Sequence, residues 1–132
     1  MGKRLLIIDD ETNILEVLSI VFENEGYIVI TSNSAVATAD LVTIKPDLIL
    51  SDIRILGSSK TGLEICSEIK ASRHYSHLPV ILLSGESNIG VLARECGADA
   101  FIRKPFEIDE LVNCIKNFAK NNHYGTRNNN IT

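Results

Sequence analysis

Asp9 and Asp10, Asp52, Ser84 and Lys104 each stand at the end of a separate apolar run of the chain. If those runs are parallel strands of one sheet, the carboxylates, a hydroxyl and an amine meet in one crevice, because α/β folds gather functional groups beyond the carboxyl ends of their strands. Carboxylates brought close together repel one another, and each tends to hold its proton unless a cation neutralises the site. Oxygen-only ligands select a hard divalent ion, Mg²⁺ first, which keeps several waters and leaves room for a phosphoryl oxygen. Lys104 adds a point positive charge for the same anion. Ser84 supplies a hydroxyl donor, and Gly85 after it leaves space for an incoming group. These are the parts that phosphoryl transfer to a carboxylate requires: a nucleophile, a metal and donors for the equatorial oxygens.

The elements that must position these groups show as alternating periodicities. Leu5 to Asp9 reads as a strand, and Ile14, Leu15, Val17, Leu18, Val21 and Phe22 then recur at helical spacing until Gly26 stops them. Tyr27 to Thr31 reads as a second strand, followed by a helix from Ser34 to Ile44 that is capped by Ser34 and ends ahead of Pro46. Asp47 to Asp52 is a third strand, continuously apolar at Leu48-Ile49-Leu50, as suits a strand covered on both faces. A helix after Gly62 carries Leu63, Ile65, Cys66 and Ile69; an apolar strand from Pro79 to Ser84 and a shorter helix from Asn88 to Cys96 follow. Ala100 to Lys104 gives the fifth strand, and Pro105 opens a last helix with Leu111, Val112, Ile115 and Phe118 on its inner face. Strict βα alternation implies an α/β, doubly wound parallel sheet with right-handed crossovers and helices on both faces.

Composition narrows the function classes. At 132 residues, with 45% hydrophobic and 23% charged residues, the chain reads as one globular domain able to bury one core. A net charge of -4 argues against a basic footprint, so no direct nucleic-acid contact is expected. The run Leu5-Leu6-Ile7-Ile8 is cut short by Asp9 and is neither a signal peptide nor a membrane span, which makes a soluble, cytoplasmic protein with no membrane contact the expectation. Cys66, Cys96 and Cys114, with no Cys-x-x-Cys pair, read as free thiols buried in helical patterns. Positions 122–132 are polar and read as a frayed tail beyond a domain spanning 1–121.

Four segments in order, Ile7-Ile8-Asp9-Asp10-Glu11, Asp47 to Asp52, Leu82-Leu83-Ser84-Gly85 and Phe101-Ile102-Arg103-Lys104-Pro105-Phe106, together resemble the receiver domain of two-component response regulators, of the chemotaxis-regulator kind. The resemblance runs from Lys3 to about Asn121. It implies a flavodoxin-like fold: five parallel strands in the order 2-1-3-4-5, flanked by five helices. It implies Asp52 as phosphoacceptor from a sensor histidine kinase or phosphotransfer protein. Asp9 and Asp10, with Asp52 and the backbone carbonyl of Arg54, would hold Mg²⁺. Ser84 would be a hydroxyl switch, Phe101 an aromatic rotamer switch, and Lys104 the partner of the phosphate, ahead of a proline commonly in a cis bond. By the same resemblance Arg54 and Glu86 flank the attacking water and set the aspartyl-phosphate lifetime.

Two features depart from the family pattern. The usual Met-Pro pair after the acceptor is replaced by Ile55-Leu56, and the loop to Gly62 is longer by about two residues, within the variation such connections tolerate. The switch aromatic is Phe rather than Tyr and offers no hydroxyl. Phosphorylation adds roughly two negative charges, drawing Ser84 and Lys104 inward while Phe101 fills the vacated space. The expected readout is a face of the fourth helix, fifth strand and fifth helix, with Ile89, Val91, Leu92, Phe101 and Phe106 as contacts for a downstream protein and phosphorylation-dependent homodimerisation as a further outcome. The domain is expected not to be an enzyme in the ordinary sense, since it catalyses only its own modification. The rival is a receiver-fold scaffold that signals without phosphate. A haloacid-dehalogenase-type phosphatase fails because position 54 is Arg rather than acidic. A phosphate-binding loop at Gly57 to Thr61 fails because no Gly directly precedes Lys60 and no suitable helix start follows.

Overall fold

Continuously apolar strands need cover on both faces, and the chain supplies it from helices that follow each strand. The computed structural model describes residues 2–124, with side chains to residue 120. In chain order the elements are β1 (Arg4–Ile8), α1 (Thr12–Asn24), β2 (Ile28–Ser32), a 3-10 turn (Thr38–Asp40), α2 (Leu41–Ile44), β3 (Leu48–Asp52), α3 (Gly62–Ala71), β4 (Val80–Ser84), α4 (Ile89–Cys96), β5 (Ala100–Arg103) and α5 (Ile108–Tyr124). All pairings are parallel and the order is β2-β1-β3-β4-β5, as expected.

Successive residues of a strand point to opposite faces, and the two core layers divide accordingly. Leu6, Ile8, Ile49, Val80 and Leu82 pack with the α2, α3 and α4 side, whereas Leu5, Ile7, Leu48, Leu50, Ile81, Leu83 and Ile102 pack with α1 and α5. A fully buried Leu or Ile contributes about 1.5–3 kcal/mol, so these two layers hold the sheet in place. β1 and β3 pair Ile8 with Ser51, and one step further along that register sets Asp9 beside Asp52. The central strands are fully buried, while β2 at the edge exposes Ile28. The site therefore rests on the most deeply buried part of the sheet.

Several local expectations are corrected. The helix from Ser34 is reduced to a 3-10 turn and the short α2, and Ser34 caps nothing. Both Val36 and Leu41 are buried in the same layer. Five residues apart on a helix they would lie about 140° around the axis from each other, so an irregular segment is needed to turn both inward. Val17 is turned outward at 52% exposure, off the buried stripe of Leu15, Leu18 and Phe22. The last helix starts at Ile108 rather than Pro105; Phe106 packs against the core layer ahead of it, and the Lys104-Pro105 bond is cis. Thr61 does start a helix: its hydroxyl accepts from Glu64 N–H while the Glu64 carboxylate accepts from Thr61 N–H, a capping box that opens α3. α5 continues through Tyr124, beyond the boundary at 121; the rest of the expected tail, 125–132, lies outside the described residues.

The cysteines are free, with Cys66 and Cys96 buried and Cys114 half-buried. Burial pushes the Cys66 and Cys114 thiols up, further from the reactive thiolate. No helix among the described residues is long and apolar enough to cross a membrane.

Candidate functional site

Asp9, Asp52 and Ser84 are buried side chains at the carboxyl ends of three adjacent central strands, and Lys104 follows the fourth. Lys104 Nζ donates to Asp52 Oδ2 at 2.7 Å and lies 3.5 Å from Asp9 Oδ2. One oxygen each of Asp9, Asp10 and Asp52 lies within 4.8 Å of the others. Asp10, Asp52, Ser84 and Lys104 line a cleft of about 470 Å³ together with Glu11, Arg54, Leu56, Gly85 and Glu86, with Asp9 buried beside them. The sequence-based set of acidic pair, acceptor carboxylate, hydroxyl and amine is thus brought together in one place.

Each member also has a local structural task. Asp9 Oδ1 accepts from Glu11 N–H at 2.9 Å, turning the chain from β1 into α1. Its other oxygen, Oδ2, is buried without a hydrogen-bond partner among the described residues. Asp52 Oδ1 accepts from Arg54 N–H at 3.3 Å, and Ser84 Oγ accepts from Glu86 N–H at 3.0 Å. That last bond leaves the Ser84 hydroxyl proton for another acceptor.

Burial raises the Asp9 pKa above the usual carboxylate range, against the opposing pull of the Glu11 N–H and of Lys104. Burial also acts to lower the Lys104 pKa, but the hydrogen bond to Asp52 and the charges of Asp52, Asp9 and Glu11 outweigh it and move it upward. The floor of the cleft therefore holds more negative charge than its one lysine comfortably offsets. A buried carboxylate oxygen with a 3.5 Å ion-pair contact to Lys104 but no hydrogen bond, beside an all-oxygen donor set, is what a hard divalent cation completes, so these residues fit Mg²⁺.

The rim differs in kind. Arg54 Nε donates to Glu86 Oε2, joining the loops after β3 and β4 across the mouth of the cleft, and that contact raises the Arg54 pKa. Two contributors escaped the sequence reading. Leu56 N–H donates to Asp10 Oδ2 at 3.2 Å, a bond open to this chain because no proline stands there. Gly62 N–H donates to Ile53 O at 2.7 Å, and a Cβ on Gly62 would lie 2.1 Å from the Asp52 carbonyl oxygen, so only glycine lets α3 start this close behind the acceptor. The missing proline was visible in the sequence; the close approach of Gly62 was not.

On the expected output face, Phe101 is 38% exposed and turned outward, its ring 3.5 Å from where a Gly90 Cβ would stand. Arg103 lies over the same ring at 5.6 Å and donates to Ser87 O. Val91 is exposed, and Leu92 and Phe106 are partly so. Ile89 is fully buried in the core and is withdrawn from the candidate contacts.

Comparison with known proteins agrees with this geometry. The family model described as the response regulator receiver domain matches residues 5–116. The nitrogen assimilation regulatory protein NtrX of Azorhizobium caulinodans is 40% identical over 115 residues, 85% of this chain and 25% of that protein. The phosphate regulon transcriptional regulatory protein PhoB of Pseudomonas aeruginosa is 38% identical over 119 residues, 88% of this chain and 51% of that protein. The chain thus spans a quarter to about a half of these relatives. The response regulator MtrA of Mycobacterium tuberculosis, named as DNA-binding, is 32% identical over 115 residues, 85% of this chain and 48% of that protein.

Among solved structures, the receiver domain of NtrX from Brucella abortus superposes with a TM-score of 0.78 at 34% identity, covering 88% of this chain and 98% of that one. A receiver domain protein from Clostridium thermocellum gives 0.81 at 27%, covering 94% and 99%. The chemotaxis regulator CheY4 of Vibrio cholerae gives 0.75 at 23%, covering 89% and 99%, and speaks for the fold alone. With the strand order, the acidic cleft and the matched residues in agreement, the chain belongs to the response regulator receiver domains of phosphorylation-dependent two-component signalling.

Proposed function

We propose that the chain accepts a phosphoryl group on Asp52 from a histidine kinase or phosphotransfer protein and thereby switches a protein-binding face. The observation that carries this reading is the convergence of three carboxylates on one cleft with Lys104 bonded to Asp52. A scaffold that signals without phosphate has no use for an orphaned buried carboxylate oxygen beside a lysine.

An Asp52 carboxylate oxygen attacks the phosphorus of a phosphohistidine; the new O–P bond forms as the P–N bond breaks, and the imidazole leaves with the electron pair. Asp9, Asp10, Asp52 and the Arg54 carbonyl would hold Mg²⁺, which when bound offsets the negative charge of the cluster and of the phosphoryl oxygens. Lys104 Nζ, now on Asp52 Oδ2, turns to a phosphoryl oxygen, and the Ser84 hydroxyl donates to another. As Ser84 moves inward, the outward Phe101 ring follows into the space beside it and alters the face formed by α4, β5 and α5. Arg54 and Glu86 restrict water at the mouth and so lengthen the life of the acyl phosphate. The domain acts on itself alone and is not an enzyme in the ordinary sense.

Intact-mass measurement after incubation with acetyl phosphate and Mg²⁺ tests this. The wild type gains one phosphoryl increment and Asp52→Asn gains none. Equal increments in both would remove Asp52 from its role.

A further inference from the structure

The first departure from the family pattern, a loop without the usual proline and longer by about two residues, is where this chain builds something of its own. Ser58 N–H donates to Ile55 O at 3.1 Å, and Gly57 has φ +80°, which together mark residues 55–58 as a type II turn. One end of that turn reaches the acidic cluster through the bond from Leu56 N–H to Asp10 Oδ2. The other end reaches the segment after β2, where Ala35 N–H donates to Ser58 Oγ at 2.9 Å. Ile55 and Val36, beneath the two bonds, are buried in the same core layer. The Leu56 side chain is 76% exposed, so the turn is held by its backbone and by Ser58 rather than by that side chain.

We propose that residues 55–58 couple cation binding at the acidic cluster to the segment between β2 and α2, with Leu56 N–H as a positioning donor for Asp10 and the Ser58 hydroxyl as the link to Ala35. The proposal rests on Asp10 belonging to the cation site. Asp10 is half-buried, and any rotation of its carboxylate would break the bond to Leu56. A cation that fixes the carboxylate removes that freedom, and the turn and the Ser58 link are then populated for longer. Coupling of this kind is reciprocal: whatever factor the cation contributes to the Ala35 bond, that bond contributes to cation affinity. The link is one hydrogen bond, whose net worth corresponds to a factor of roughly two to ten. The irregular β2–α2 segment, which lacks helical bonds of its own at Ala35, is the element such a factor can move.

Hydrogen exchange at the Ala35 and Leu56 amides, read alongside calorimetric titration of the full chain with Mg²⁺, tests the coupling. Mg²⁺ slows exchange at both amides in the wild type. Ser58→Ala abolishes the slowing at Ala35, keeps it at Leu56 and raises the Mg²⁺ dissociation constant by the factor lost at Ala35. Leu56→Pro suits the second position of a type II turn and removes only the N–H, so it abolishes the slowing at Ala35 without unfolding the turn. If calorimetry shows Mg²⁺ bound but the Ala35 amide does not respond, or responds equally in Ser58→Ala, the coupling is overturned. Absence of Mg²⁺ binding to the wild type overturns the cation reading itself, and the coupling with it.

Discussion

The floor and the rim of the cleft both carry opposite charges in contact, yet they differ in what those charges can do. On the floor, Asp9 is 1% and Asp52 7% exposed, and their partner Lys104 reaches them from the residue after β5. On the rim, the Arg54 side chain is 75% exposed where it meets Glu86. Solvated ion pairs contribute little to folding because water and salt screen them, whereas a buried charge left unpaired is costly. The floor therefore gives up stability for the chemistry proposed for it, whereas the rim contributes little to stability, which fits the proposed role of Arg54 and Glu86 in rates.

The largest effect should come from behind the floor. Gly62→Ala drives a Cβ against the Asp52 carbonyl and Ile53 Cα, all of it backbone that cannot rotate away. A loss of about 3 kcal/mol or more is expected. Gly85→Ala at the cleft edge meets nothing within 4 Å and should shift stability by less than about 1 kcal/mol. Urea midpoints of the two variants make the contrast; equal shifts would show that the floor is not packed as tightly as described. Next in size is Lys104→Ala, which strips the cation from two buried carboxylates. A loss on the order of 1–3 kcal/mol is expected, reduced from a fully buried pair by the lysine's partial exposure, with part of it restored by Mg²⁺.

That contrast also explains what the sequence reveals. Central strands announce themselves because both of their faces are buried, so Leu48 to Leu50 and Val80 to Leu83 are apolar without a break. Groups at the ends of such strands converge by topology alone, which makes Asp9, Asp52, Ser84 and Lys104 legible before any coordinates. The segment from Ser34 to Asp40 misleads because local propensity allows a helix while the burial of both Val36 and Leu41 forbids it. The capping box of Thr61 and Glu64 carries the Thr-x-x-Glu spacing in the sequence but sits among loop residues that mask it. Ile89 and Val17 differ from expectation for a shared reason: on an amphipathic helix, one residue's step in phase exchanges core for surface.

Asp9 separates cost from function on the floor. Its folded pKa is raised, so between the ordinary carboxylate pKa and that raised value the folded state holds more protons than the unfolded one. Stability from this group is present in acid and is lost as pH rises through the folded value. Asp9→Asn should therefore be more stable than wild type at neutral pH without Mg²⁺, and the difference should shrink on acidification. The same variant should lose the rise in melting temperature that Mg²⁺ gives the wild type. A variant less stable than wild type at neutral pH would mean that the bond to Glu11 N–H outweighs burial.

The rim should show the reverse, a change in rate with no change in stability. Arg54→Ala and Glu86→Ala each break the same exposed contact, and neither should move the urea midpoint measurably. Each should hasten loss of the phosphoryl group from Asp52, because the mouth of the cleft then admits water more freely. Two residues acting as a unit do not add, so the double variant should lose phosphate no faster than either single one. Phosphoryl half-lives of the four proteins, followed by intact mass after removal of the donor, complete the cycle. Additive acceleration would show that Arg54 and Glu86 act on the attacking water separately, and the pair would then be a consequence of their nearness rather than the device that sets the lifetime.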